Sequence, residues 1–505
     1  MNANLFALLQ DSIQDPEATA IETVSGARIT YADLVARAGR MANALVGFGV
    51  KPGDRVAAQV EKSVEAIVLY LGVVRAGGVF LPLNTGYTPA EIGYFVEDAA
   101  PAVFVCDPAK QAALQTAADK AGARLVTLDA GGRGTLTEAA DAAPEAFETV
   151  ERASDDLAAL LYTSGTTGRS KGAMLTHGNL VSNALALRDA WAYTAQDVLI
   201  HALPIFHTHG LFVATNVTLF SGAAMVFLPK FDVERILELM RARATVLMGV
   251  PTFYVRLLED ERVISEAAAR MRLFVSGSAP LLAETHREWR ARTGHAILER
   301  YGMTETNMNA SNPYDGDRVA GTVGLPLPGV EIVVTDPETG AALAQGEIGM
   351  IEVRGPNVFK GYWRMPEKTA AELRDTGFFI TGDLGKIDER GYVHIVGRGK
   401  DLIITGGYNV YPKEIETELD AIPGVLESAV VGVPHRDFGE GVTAVIVPTG
   451  KVELEEEALL KSLEDRLAKF KLPKRVVFVD ELPRNTMGKV QKNLLRDRFA
   501  DLYRV

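Results

Sequence analysis

The sequence predicts an α/β protein, with stacked α/β subdomains in a large N-terminal part, a β-rich subdomain closing that part, and a small α+β domain at the C-terminal end. Three observations carry the prediction. Helical and strand patterns alternate from Thr30 to Tyr301, as they do in largely parallel sheets. From 321 to 396 the pattern turns to short strands separated by glycine turns. At Gly397-Arg398-Gly399-Lys400-Asp401 the punctuation is dense, and a unit of about a hundred residues follows, the size of a small domain.

In order along the chain, Leu5, Phe6, Leu8, Leu9 and Ile13 fall on one helix face, and Met1-Asn2-Ala3-Asn4 before them lacks the basic stretch of a secretion signal. A helix is expected over 30–45, a strand over 54–60, a helix over 64–75, a strand over 79–83, a helix over 89–98 and a strand over 103–106. The stretch 141–156, rich in alanine, proline and acids, reads as a surface connection. Leu157-Ala158-Ala159-Leu160-Leu161-Tyr162 reads as a buried strand, and a second α/β set covers 198–301. Beyond 401 come a helix over 411–422, strands over 426–433 and 441–447, a helix over 455–470 and a strand over 474–479. This divides the chain at 1–397, 398–400 and 401–505; the alternative for 397–401 is a tight turn inside one domain.

At 505 residues the chain is too long for one ordinary core. A composition of 47% hydrophobic and 23% charged residues belongs to a soluble globular protein. The net charge of −13 argues against a nucleic-acid scaffold or a basic membrane anchor. The most apolar window, 64–83, is interrupted by Glu65, Arg75, Gly77 and Gly78, so it reads as a buried helix and strand rather than a membrane span. The single cysteine, Cys106, cannot form an internal disulfide, which points to a reducing, cytoplasmic setting; its apolar surroundings suit a structural thiol.

The strand 157–162 runs directly into Thr163-Ser164-Gly165-Thr166-Thr167-Gly168-Arg169-Ser170-Lys171-Gly172. Hydroxyls, glycines and two cations in one short loop suit polyphosphate: glycines let backbone N–H groups approach, hydroxyls donate, and lysine neutralises charge. A Walker loop needs Gly-Lys-Ser/Thr followed by a helix. Here Ser170 precedes Lys171, Gly172 follows it, and Ala173-Met174-Leu175 is strand-like, so this is a different phosphate loop. The alternative is a flexible surface loop.

The loop resembles the signature of the adenylate-forming superfamily, which includes acyl-CoA synthetases, luciferases and the adenylation domains of peptide synthetases. Five further matches follow in order: Gly277-Ser278-Ala279-Pro280, Tyr301-Gly302-Met303-Thr304-Glu305, Thr381-Gly382-Asp383, Gly397-Arg398-Gly399-Lys400-Asp401, and Pro483-Arg484-Asn485-Thr486-Met487-Gly488-Lys489. Ser170 stands where the family usually has proline. The resemblance covers nearly the whole chain.

It implies ATP, Mg²⁺ and coenzyme A as the small-molecule partners of an AMP-forming acid–thiol ligase. Nucleotide contacts fall on Thr163, Ser164, Gly165, Thr166, Thr167, Gly168 and Lys171, then on Gly277 to Pro280, Glu299, Tyr301, Gly302, Asp383 and Arg398. Tyr301 resembles the adenine-stacking ring, Asp383 the ribose-binding carboxylate and Arg398 its neighbouring arginine. Glu305 resembles the magnesium-linked glutamate, with Thr167 as a second metal contact and Thr304 donating to phosphate. Lys489 resembles the lysine that bridges phosphate and substrate carboxylate. Lys400 takes the hinge position of a mobile small domain, which would exchange Lys489 for Gly406-Gly407 beside a pantetheine tunnel. In related synthetases the lysine that Lys489 matches is acetylated, which implies an acetyltransferase and a deacetylase as protein partners. The chain's end at Val505, soon after this motif, is read as leaving no fused carrier domain.

The acyl pocket of the family is lined by segments after Phe206, after Pro251 and around Tyr301. His207 resembles the histidine at its mouth; His207-Thr208-His209 supplies two nitrogens without a third ligand, which disfavours a metal site. Arg256 and Arg300 are unusual beside a fatty-acid pocket and would suit a second carboxylate. With the stretch Glu299-Arg300-Tyr301-Gly302-Met303-Thr304-Glu305-Thr306, in which Met303 also faces the acid, they make the chain look like the malonyl-CoA synthetases, which also accept methyl-substituted malonates. Alternatively Arg256 pairs with Glu259 or Asp260, Arg300 pairs with Glu299, and the acid is another short-chain, fatty or aryl one; a catalytically silent nucleotide-binding protein is the more distant alternative.

Overall fold

The computed structural model describes residues 2–503 except 164–169, 406–407, 451, 453, 465 and 486–487. Four sheets organise it. The first has six strands in the order Arg124–Thr127, Val103–Cys106, Arg55–Gln59, Val79–Pro82, Leu157–Thr163 and Lys171–Thr176. Its pairings are parallel except the last, where the strands flanking the phosphate loop form a hairpin. The second has nine strands; at its centre Leu298–Met303, Leu273–Ser276, Val246–Gly249, Val198–His201 and Ala224–Phe227 run parallel.

Helix Val64–Arg75 is buried on every face but that of Glu65, which explains its unbroken apolar run. One core passes from Val56 and Phe80 of the first sheet through Ile67 and Leu187 to Leu199 and Met225 of the second. Helix Tyr31–Gly47 begins with a reciprocal cap between Thr30 and Asp33, the local signal that fixes its start. Cys106 is fully buried, and burial pushes its thiol up to about 11, as a structural cysteine requires.

A third, antiparallel sheet holds Glu331–Thr335, Gly349–Arg354, Phe379–Ile387 and Val393–Arg398. The fourth is built on Gly439–Pro448, with Val425–His435 along one side of it, and has its own core around Ile415, Val430, Ala444 and Leu463.

One helix boundary is corrected. The helix expected over 455–470 spans only Glu456–Glu464, because Phe470 leaves that axis to stack on Tyr408 at 4.7 Å. The connection 141–156 lies on the surface without regular structure, but it is strapped down: Arg75 donates to the Phe147 carbonyl at 2.7 Å, and Asn43 to Pro144 and Ala146 at 2.8 and 3.0 Å.

Because the central strands of the second sheet are parallel, their C-terminal ends open on one edge, where open α/β sheets bind ligands. His207 to His209, Thr252, Gly277 to Pro280 and Glu305 all follow those ends. Strand Leu298–Met303 tolerates nothing bulkier than glycine at 302, since a Cβ there would lie 1.9 Å from the Asn307 carbonyl oxygen across the hairpin. Gly302→Ala is expected to cost about 1–3 kcal/mol, the usual range for overpacking, read as a lower urea midpoint; an unchanged midpoint refutes this close approach.

Candidate active site

On the nucleotide side, Asp383 and Arg398 face each other across adjacent strands, with Arg398 Nε 2.8 Å from Asp383 Oδ1. The Tyr301 hydroxyl donates to the other oxygen, Oδ2, at 2.6 Å, and the Asp383 amide donates to Thr381 Oγ1 at 3.0 Å. This fixes a buried carboxylate beside an aromatic face, a pairing suited to a ribose and its base. Glu305 is buried in the hairpin turn, and burial holds its carboxyl above the ordinary range against the pull of Lys171.

Lys171, at the stem of the phosphate loop, donates to the Tyr362 hydroxyl at 3.1 Å and pairs with Glu372 at 3.2 Å. That hydroxyl lies 3.0 Å from Glu305 and 2.6 Å from Glu372, so Tyr362 joins the two carboxylates. Tyr94 donates to the Ser170 carbonyl at 3.0 Å, tying helix Pro89–Ala99 to the loop's end. Ser164, Gly165, Thr166, Thr167 and Gly168, expected to hold phosphate, lie outside the described residues, as do Gly406 and Gly407.

Lys489 enters this cleft from the C-terminal side. Its amide donates to Asn485 Oδ1 at 3.0 Å in a turn whose Gly488, at φ +75°, rests near Thr252. Loss of hydration in the cleft, then the Arg398 cation, lowers the Lys489 ammonium from its ordinary value, while Asp383 and Glu305 oppose the shift. The residue is nonetheless exposed on the solvent-filled cleft. Lys400 is exposed in the short turn Gly399–Asp401.

The side expected to take the acid holds Arg300. It is 3% exposed, and its Nε and Nη2 have no hydrogen-bond partner among the described residues. Its guanidinium lies over Gly277, where a Cβ would stand 2.5 Å from the guanidinium carbon. Burial lowers its pKa, opposed by Glu299 and Tyr254, but a guanidinium keeps its proton near neutrality, leaving an uncompensated buried cation. Ser278, held at φ +72°, has its hydroxyl 3.2 Å from His209 Nδ1. The His209 amide donates to His207 Nδ1 at 3.3 Å. Burial, then Lys489 and Arg300, pushes His207 down to about 3, so it is a neutral imidazole. Thr304 and Met303 border the same hairpin, both half-buried.

The two arginines are not equivalent. Arg256 is exposed on helix Pro251–Leu258, one turn beyond Thr252 on the same side, at the rim rather than in the pocket. Nor does it take the alternative partner Asp260, which binds Arg262 at 2.7 Å. Glu299 turns away from Arg300 and accepts from the Leu281 amide at 3.1 Å.

Burial pushes the Glu299 carboxyl up to about 8, against that amide, Lys413 and Arg300. The folded state therefore keeps a proton that the unfolded chain releases near 4.5. The resulting stability is complete below that pH and is lost as pH rises through about 8. Glu299→Gln is expected to flatten the fall in urea midpoint between these pH values; an unchanged slope refutes it.

With this geometry, the pattern of AMP-binding enzymes matches residues 9–363, and that of the AMP-binding enzyme C-terminal domain matches 414–489. The chain belongs to the AMP-binding enzyme family. Among AMP-binding enzymes, a malonate–CoA ligase of Arabidopsis thaliana is 38% identical over 482 residues, covering 89% of this chain and 79% of the relative. ATP-bound MatB from Rhodopseudomonas palustris is 68% identical over 100% of both chains, with a TM-score of 0.98. Apo MatB from the same organism has the same identity and coverage but a TM-score of 0.88. The difference at equal identity lies in arrangement, and this chain is closer to the ATP-bound arrangement.

Sequence reasoning missed Tyr362, Glu372 and the His209–Ser278 contact. Gly361-Tyr362-Trp363 has no distinctive pattern, and Glu372 reads as an ordinary helical acid. Ser278 lay within a recognised motif, but only its positive φ singles it out.

Proposed function

We propose that this chain ligates malonate, and methyl-substituted malonates, to coenzyme A with ATP, releasing AMP and pyrophosphate. Arg300 carries the reading: a buried cation with two unpartnered N–H directions, set against a bare glycine. A monocarboxylic acid leaves that cation uncompensated, whereas a second carboxylate can accept from it in parallel. The Arabidopsis relative is named for this reaction. Arg256 closes over the same carboxylate from the rim, with Met303 and His207 at the pocket mouth.

One malonate oxygen attacks the α-phosphorus, and the bond to pyrophosphate breaks. Lys489 stands between the two anions and neutralises their approach. Glu305 and Thr167 would hold Mg²⁺, which would supply charge neutralisation to the phosphates. Among the described residues no three His, Cys, Asp or Glu converge, which suits an ion carried by phosphates better than a protein cage. Rotation of 401–505 about Lys400 then withdraws Lys489 and brings Gly406-Gly407 to the thiol path. The sulfur attacks the acyl carbon, its proton is released, and the bond to AMP breaks.

Acetylation of Lys489 by a protein acetyltransferase removes the bridging charge, and a deacetylase restores it. The buried, unpaired Cys106 fits a cytoplasmic setting. No helix among the described residues is long and apolar enough to cross a membrane.

The test is a panel of acids with ATP, Mg²⁺ and coenzyme A, assayed for thioester, with pyrophosphate exchange run alongside. Malonate is expected to give the highest kcat/KM; failure of malonate to drive label into ATP overturns the reading.

A further inference from the structure

We infer that Lys62 and His201, which touch neither nucleotide nor acid, are positioning residues that hold the acyl pocket's His207-His209 segment in register. The inference rests on the acid-activating reading above. Lys62 follows strand Arg55–Gln59 of the first sheet, and its Nζ crosses to the second. There it lies 3.0 Å from His201 Nδ1 and donates to the His201 carbonyl at 2.7 Å. It passes over the Phe227 ring at 4.4 Å and borders a cavity of about 250 Å³ with Phe206 and Phe253. Phe206 is the residue before His207, so this cavity borders the start of the His207–His209 segment.

The Gly210 carbonyl can only accept, so the ring proton resides on His201 Nε2, and Nδ1 accepts from Lys62, whose ammonium burial lowers well below its ordinary value. His201 Nε2 is 3.0 Å from the Gly210 carbonyl, to which Thr215 Oγ1 also donates at 2.9 Å. Gly210 lies in a wide, π-type turn over His209–Thr215, a form with poorly aligned internal bonds that recurs at functional sites. A Cβ on Gly210 would meet the Pro204 carbonyl oxygen at 2.0 Å, so the turn is pressed against the chain leading to it. The histidine thus supplies from outside a bond that fixes the turn. His209, next in the chain, in turn positions Ser278 and His207. Burial keeps His201 neutral, consistent with one donor and one acceptor nitrogen.

Lys62→Met is expected to raise the KM for malonate about tenfold, the size of one lost buried hydrogen bond, with the KM for ATP unchanged. His201→Leu should do the same. His201→Gln, whose amide can accept from Lys62 and donate to Gly210, should restore most of the loss. The inference is overturned if Lys62→Met leaves the malonate KM alone, if both KM values rise together, or if His201→Gln is no better than His201→Leu. Should Lys62→Met not fold, the two His201 variants decide by the same readouts. If the wild type does not activate malonate, the functional reading fails separately. ¹⁵N-histidine spectra then decide the relay: a proton on Nε2 of His201 in the wild type, with the Nδ1 resonance shifted in Lys62→Met, supports it, and a proton on Nδ1 or an unmoved Nδ1 resonance refutes it.

Discussion

Replacing Lys489 with alanine is expected to slow acyl-adenylate formation by about 10²–10³, the usual cost of removing one preorganised charge from a transition state. Thioester formation from supplied malonyl-adenylate should be little changed. The adenylation step brings a carboxylate against a polyphosphate, and Lys489 reaches the cleft where Asp383, Glu305 and Arg300 converge on it. Arg398 is committed to Asp383, and Lys171 to Glu372 and Tyr362. Lys489 is a cation that the C-terminal part carries into this cleft. Pyrophosphate release and thioester formation, measured separately, check this. Equal losses in both half-reactions would show that the alanine disturbs the cleft rather than one step.

Arg300→Met is expected to lower kcat/KM for malonate by the equivalent of about 2–5 kcal/mol, roughly thirtyfold to several thousandfold, while propionate loses far less. The asymmetry follows from burial. With malonate, the variant leaves a carboxylate in a dry pocket without its counter-ion, which is costlier than losing a surface pair. With propionate, the wild type already carries the mismatch, and a methionine of similar length removes it. Arg256→Ala is expected to cost less for malonate, because that side chain must first leave water. Parallel losses on both acids would remove Arg300 as the second-carboxylate ligand.

Helix Val64–Arg75, strand Val103–Cys106 and the hairpin around the phosphate loop were legible because their signals are local: burial pattern, capping and glycine placement. Asp383 and Arg398 lay in recognised motifs, and their pairing follows from adjacent strands. Arg256 and Arg300 looked alike in sequence because each is an arginine in a segment expected to line the acyl pocket. What separates them is tertiary: one lies on an outer helix face, the other inside the second sheet. Lys62 with His201, and Lys171 with Glu372, join positions 139 and 201 residues apart, with no local pattern to announce either contact. The end of helix Glu456–Glu464 was misread for the same reason, since the partner of Phe470 lies in another strand.

The bareness of Gly277 links substrate charge to backbone in a way that constrains redesign. While the guanidinium of Arg300 covers it, position 277 has no room for even a methyl group. Once Arg300 is shortened, the same spot becomes a void bounded by Gly277, and a side chain there fills it. The two positions are therefore coupled, and each substitution alone misreports the pair. A route from a dicarboxylic to a longer monocarboxylic substrate passes through both together: lose the cation at 300 and grow a side chain at 277.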